Sequence, residues 1–138
     1  MSGGKAFFDT DVLLYMYGGD EKKQSRSTEL FREHAMNGRL LLSTQVVQEF
    51  YAAGSRNLAI PGPELREAVT ALLDLPLVIV AGAHIHAAIE NEARFGISFW
   101  EGLIIAAAES GHAEVLYTED LKDGQHYGRV VACNPFRG

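Results

Sequence analysis

Short apolar runs in this chain alternate with longer segments in which apolar residues recur every three or four positions, the signature of strands followed by helices. Lys5 to Phe8 is apolar-rich and stops at Asp9, which suits a central strand emptying into a loop. Thr10 to Tyr17 opens a first helix, and Gly18-Gly19-Asp20 breaks it. Glu21 to Asn37 resumes with Leu30 and Phe31 on one side and charges on the other, and Gly38 closes the segment. Arg39 to Leu42 is a second short strand, after which Ser43 or Thr44 can cap a helix running to about Asn57. Pro61-Gly62-Pro63 is a breaker, and Pro63 fits the first turn of a helix through Leu73. Leu77 to Ala81 is continuous and β-rich, the pattern of a buried strand. His84 to Phe95 reads as a helix ended by Gly96, and Ser98 can cap another from Phe99 to Ser110, closed by Gly111. Val115 to Tyr117 and Val130 to Ala132 complete the strands.

Strands alternating with helices at this spacing predict an α/β fold, a central mostly parallel sheet covered on both faces as a three-layer α/β/α sandwich. In such sheets the ligand crevice lies beyond the carboxyl ends of the strands. Asp9 follows the first strand directly and Asp120 follows the Val115 to Tyr117 strand after two residues, so both are expected to face that crevice. A length of 138 residues suits one domain, 1–138, with residues 1–4 as a flexible lead. The single cysteine, Cys133, and the lack of a secretory pattern lead to the expectation of a reducing, cytoplasmic setting. The longest apolar run, Leu103 to Ala108, is too short to span a bilayer, so no membrane association is expected.

Four carboxylates, Asp9, Glu49, Glu101 and Asp120, sit far apart in the chain but each in apolar surroundings, where an ionised group is costly unless compensated. At ~100° per residue, Val46, Val47, Phe50, Tyr51 and Gly54 form one arc of the third helix, with Glu49 just beyond its edge. In the Phe99 helix the polar sector centres on Gly102 and Glu109, whereas Glu101 shares a stripe with Ile105 and Ala108. A buried salt bridge or a neutral acid would explain any one of these carboxylates. A divalent cation would compensate all four together. With no histidine or cysteine among them the donor set is oxygen only, which selects Mg²⁺ or Mn²⁺ over zinc. Phosphodiester hydrolysis is the chemistry that uses such a site, without a protein nucleophile.

The five histidines show no metal spacing. Phe99 and Trp100 are expected in the core, and Asp11 is expected to cap or orient the first helix. The net charge of −6 argues against a broadly basic nucleic-acid surface, though Lys22, Lys23, Arg26, Arg56 and Arg66 can supply a local basic rim.

The motifs DTDVLLY at Asp9, QEFY at Glu49, SFWEGLIIAAA at Glu101 and YTEDLKDGQ at Asp120, followed by VVACNPF, resemble in order and spacing the PIN-domain ribonucleases, specifically the VapC-type toxins of prokaryotic toxin–antitoxin pairs. The resemblance implies a PIN-like sandwich, Mg²⁺- or Mn²⁺-dependent endonucleolytic cleavage of RNA, inhibition by a cognate antitoxin, and a homodimer. It carries Asp9, Glu49 and Asp120 onto the family's first, second and fourth acids, and Thr118 onto a hydroxyl beside the site. Asp11 and Asp123 are then outer-shell candidates. The third acid of the family is usually aspartate, and here it is Glu101. On that resemblance Glu101→Asp is expected to keep or raise activity and Glu101→Gln to lower it.

Two other readings remain open at this point. The DxD of Asp9 and Asp11 also resembles haloacid-dehalogenase-type phosphatases, in which Asp9 would be the nucleophile. A degenerate PIN domain acting only as an antitoxin-binding module would use apolar residues such as Leu13, Leu14, Tyr15, Phe50, Tyr51 and Leu58 as a groove.

Overall fold

The computed structural model describes residues 4–137. The flexible lead expected over residues 1–4 therefore lies outside the described residues except for Gly4. Strands β1 (Lys5–Phe8), β2 (Leu40–Ser43), β3 (Leu77–Val78), β4 (Ala113–Tyr117), β5 (His126–Tyr127) and β6 (Val130–Cys133) form one sheet in the order β3-β2-β1-β4-β6-β5. Every pairing is parallel except that of β5 with β6. Helices α1 (Thr10–Tyr15), α2 (Glu21–Met36), α3 (Thr44–Arg56), α4 (Gly62–Leu73), α5 (Gly82–Phe95) and α6 (Phe99–Ser110) flank it, giving the expected mostly parallel PIN-like α/β architecture. Among the described residues no helix is long and apolar enough to cross a membrane.

The central strands are apolar on both faces because helices cover both. Phe7 and Phe8 of β1 and Leu41 and Leu42 of β2 are buried, and each such side chain contributes roughly 1.5–3 kcal/mol relative to exposure. That burial fixes the point at which β1 ends, and so where Asp9 stands. Because β2 lies on one side of β1 and β4 on the other, the chain reverses its direction of sheet growth between β1 and β4. Ligand crevices open at such a switch point, beyond the strands' carboxyl ends.

Two expectations about strands are corrected. The Leu77 to Ala81 strand is only two residues long, and Ile79 beyond it is 70% exposed. Among the described residues it pairs with β2 alone, which stops at Ser43 and becomes the cap of α3, and the Val80 N–H donates instead to the Thr44 hydroxyl at 3.1 Å. The antiparallel β5 was not anticipated, being two residues joined to β6 through Gly128 at φ +66°.

Helix α6 packs along α5 at a glycine. A Cβ on Gly102 would lie 2.7 Å from the Ala88 carbonyl oxygen, and the Asn91 amide donates to the Gly102 carbonyl at 3.0 Å. Gly102 is thus buried at a helix–helix contact rather than part of a polar sector. Trp100, expected in the core, is 61% exposed.

Candidate functional site

Phe8 of β1 lies opposite Tyr117 of β4 in parallel register, and the Asp9 N–H continues the ladder to the Tyr117 carbonyl at 3.0 Å. The residues that leave these strands, Asp9 and Thr118, are therefore neighbours across the switch point. Asp9 caps α1: its Oδ1 accepts from the Thr10 N–H at 2.7 Å, and its Oδ2 accepts from the Thr118 hydroxyl at 2.8 Å. The same hydroxyl oxygen accepts from the Asp120 N–H at 3.0 Å. One buried threonine thus orders both the first aspartate and the loop that carries Asp120.

Because Asp9 is the cap, Asp11 falls in the first turn of α1. Its Oδ2 accepts from the Glu119 N–H at 2.9 Å, while its Oδ1 is buried with no hydrogen-bond partner. One carboxylate oxygen from each of Asp9, Asp11 and Asp120 lies within 4.8 Å of the others. Expected as a helix-orienting or outer residue, Asp11 instead stands inside the cluster. The signal for it in the sequence was its two-residue spacing from Asp9, which on a helix start brings both carboxylates to the same end.

Glu49 approaches from α3. Its Oε1 accepts from the Thr10 hydroxyl at 2.8 Å and its Oε2 from the Gln45 amide at 3.1 Å. Gln45, which the sequence reading passed over, also donates to the Trp100 carbonyl at 3.2 Å and so ties α3 to the first turn of α6. Glu101 is not sunk among apolar side chains as its helical stripe suggested. It forms a capping box with Ser98, accepting from the Ser98 N–H at 3.0 Å while the Ser98 hydroxyl accepts from the Glu101 N–H at 3.1 Å. It still stands close enough to Asp120 for its charge to act there. Asp123, expected as an outer-shell group, is turned to the C-terminal segment, accepting from the Asn134 N–H at 2.7 Å with Arg137 3.9 Å away.

Burial first, and crowding of like charges after it, raises the proton affinity of these acids. Burial pushes the Asp9 carboxyl up to about 6, with the charges of Asp120 and Glu49 adding to it and the Thr118 and Thr10 hydrogen bonds opposing. Burial, then the charge of Asp9, pushes Asp11 up to about 8. Asp120 is raised by partial burial first and then by Glu101, Glu119 and Glu49. Among the described residues no lysine, arginine or histidine forms an ion pair with Asp9, Asp11 or Asp120. Such a set relieves its repulsion by taking protons or a cation. With oxygen donors only, and one buried oxygen already desolvated and unpartnered, the residues fit a hard divalent ion such as Mg²⁺ or Mn²⁺.

The five basic residues named in the sequence divide. Lys22, Lys23 and Arg26 line one cleft, Arg56 ends α3 and Arg66 lies in α4. Of the candidate groove residues, Leu13 and Phe50 are core. Leu14, Tyr15 and Leu58 line a cavity of about 260 Å³ that adjoins Asp11.

Comparison with known proteins follows the same lines. The family whose description is "PIN domain" matches residues 6–124. No curated protein matches the chain. Among solved structures, a toxin–antitoxin complex from Klebsiella pneumoniae superposes with a TM-score of 0.72 at 17% identity, over 96% of this chain and 98% of that one. Mycobacterium tuberculosis VapC20, described as a Sarcin-Ricin loop cleaving toxin, gives 0.68 at 16% identity, over 84% of this chain and 90% of that one. The DNA-bound VapBC of Salmonella typhimurium gives 0.62 at 16% identity, over 93% and 96%. These structural likenesses show a shared fold.

Proposed function

The chain belongs to the PIN-domain family, and from that premise we propose that it is a metal-dependent endoribonuclease, the toxin of a toxin–antitoxin pair. The observation that carries the reading is the convergence of the Asp9, Asp11 and Asp120 carboxylates within 4.8 Å of one another at the switch point of the sheet. The descriptions of the similar structures, a toxin–antitoxin complex, an RNA-cleaving toxin and a VapBC complex, support the substrate and partner classes.

Asp9, Asp11 and Asp120 would hold Mg²⁺ or Mn²⁺, with Glu49 and Glu101 as flanking acids. Bound there, the ion would supply an activated water and neutralise charge on the phosphodiester being hydrolysed. The protein's own part is alignment. Thr118 sets the Asp9 carboxylate and the Asp120 backbone, the Glu119 N–H sets Asp11, and Thr10 with Gln45 sets Glu49. Partners of this kind orient metal-binding groups and are worth about 10–100-fold in affinity or activity.

The family match over residues 6–124 is to the PIN domain, so the phosphatase alternative is left with only the Asp9–Asp11 spacing in its favour. The cavity beside Asp11 offers an apolar seat for a segment of the cognate antitoxin, from which it would cover the acids. Residues 1–138 would act as a single nuclease domain in the cytoplasm, as a homodimer for which Ile85 and Ile89, one turn apart and exposed on α5, offer apolar surface. The test is incubation of antitoxin-free protein with total RNA. Discrete fragments in Mg²⁺ or Mn²⁺ that vanish with EDTA and in Asp9→Ala are expected. Intact RNA with both metals would leave only the binding-module reading.

A further inference from the structure

Resting on the ribonuclease reading, we propose that the cleft between the start of α2 and the C-terminal segment is a second binding site, for the backbone phosphates of single-stranded RNA flanking the scissile bond. The cleft, about 440 Å³, is lined by Lys22, Lys23, Arg26 and Arg137 together with Asp20, Pro135 and Phe136. Four of the chain's 12 lysines and arginines thus meet at one place on a protein of net charge −6. Three of the four are paired with carboxylates, Lys23 with Glu119, Arg26 with Glu29 and Arg137 with Asp123, so Lys22 and the remaining N–H donors of the two arginines carry the attraction for a polyanion.

Its position relative to the acids follows from bonded neighbours. Lys23 Nζ contacts the Glu119 carboxylate, and the Tyr15 hydroxyl donates to the other Glu119 oxygen at 2.8 Å. Glu119 immediately precedes Asp120, and its backbone N–H holds Asp11. The cleft is therefore linked to the cluster through a single residue, Glu119, which Lys23 contacts and whose backbone N–H holds Asp11.

The side chains are supplied for an external anion. The Lys22 and Lys23 backbone N–H groups are both used by the Asp20 cap, so attraction comes from the side-chain charges rather than the helix end. Lys23 is committed to Glu119, but Lys22 is exposed and makes no ion pair among the described contacts. Arg26 uses Nε on the Pro135 carbonyl at 3.2 Å and Nη1 on Glu29 at 3.0 Å, part of the five N–H donors a guanidinium carries. Arg137 is exposed and pairs with Asp123 only at 3.9 Å, a long contact that leaves most of its guanidinium donors open. Phe136, held edge-on to Tyr15 and with Lys23 Nζ 5.3 Å from its centroid, gives the cleft a half-buried aromatic wall, and a base that stacks there does so on the part of the ring Lys23 leaves open.

The experiment measures binding of a fluorescently labelled single-stranded RNA to full-length protein in an Asp9→Asn background, in Mg²⁺ and over a series of salt concentrations. Lys22→Ala, Lys22→Ala/Arg26→Ala and Arg137→Ala are compared with Arg66→Ala, a charge lost elsewhere, and thermal midpoints confirm folding. Lys22→Ala removes no contact that the fold uses and keeps the test sound if Arg26→Ala unfolds the chain. The double variant is expected to bind about tenfold more weakly, with a log–log salt slope smaller by about 1.4, or about 0.7 for each lost phosphate contact, and Arg66→Ala to match the parent. Parent-like affinity and slope in the cleft variants overturn the proposal while leaving the nuclease reading intact. A parent that binds no RNA overturns the proposal too, and cleavage by the wild type then reports on the nuclease reading separately. Loss of oligoglutamate binding in the same variants with RNA binding unchanged would assign the cleft to an acidic protein segment instead.

Discussion

Thr118 shows how much of the site depends on one hydroxyl. It donates to Asp9 and accepts from the Asp120 backbone, both within 3.0 Å, at a position 1% exposed. Thr118→Val keeps the shape but leaves the Asp120 N–H and one Asp9 oxygen unsatisfied, at a cost of about 1–3 kcal/mol in stability. We expect RNA cleavage to fall about 10–100-fold and Thr118→Ser to restore most of it, measured as initial rates on one RNA. Full activity in Thr118→Val would mean that Asp9 and Asp120 do not need this alignment. The positions of Asp9 and Asp120 at the switch point were legible in the sequence because each closely follows an apolar strand. That of Asp11 was only half legible: its two-residue spacing from Asp9 was visible, but not that Asp9 takes the capping position and leaves Asp11 to meet the Glu119 N–H from another strand's loop.

Among the elements, α6 carries a device that separates charge from fold. Glu101 is both the capping partner of Ser98 and the foremost charge raising the proton affinity of Asp120. Glutamine can close the same capping box, so Glu101→Gln is expected to leave the thermal midpoint nearly unchanged while slowing cleavage. An unchanged rate would reduce Glu101 to a cap. Helices with a cap and a periodic face were readable to within a turn, as Ser43 and Ser98 illustrate. The α6 face was not, because a helix apolar almost all round gives no direction to its stripe: Gly102 went to the α5 contact and Trp100 to solvent. The length of β3 was unreadable for another reason, since it is set by where β2 ends.

For the whole molecule, the raised carboxyls couple folding to protons. Asp9 near 6 and Asp11 near 8 both lie above the unfolded value of 3.8, so between these limits the folded state binds more protons than the unfolded one. Stability of the metal-free protein is therefore expected to fall as pH rises from 4 through 8. A divalent ion, which binds the deprotonated form, should raise the thermal midpoint more at pH 8 than at pH 5. Midpoints in EDTA that rise steadily over that range would contradict the burial and crowding of these acids. The fold class was readable from strand–helix alternation, whereas the cationic cleft required the C-terminal Arg137 to be brought beside α2. The most direct test is the rate of RNA cleavage against Mn²⁺ concentration for the wild type and Asp11→Asn. The account predicts saturable metal dependence in the wild type and at least about a 100-fold loss in the variant. Cleavage without metal, or an Asp11→Asn enzyme as fast as the wild type, would contradict it.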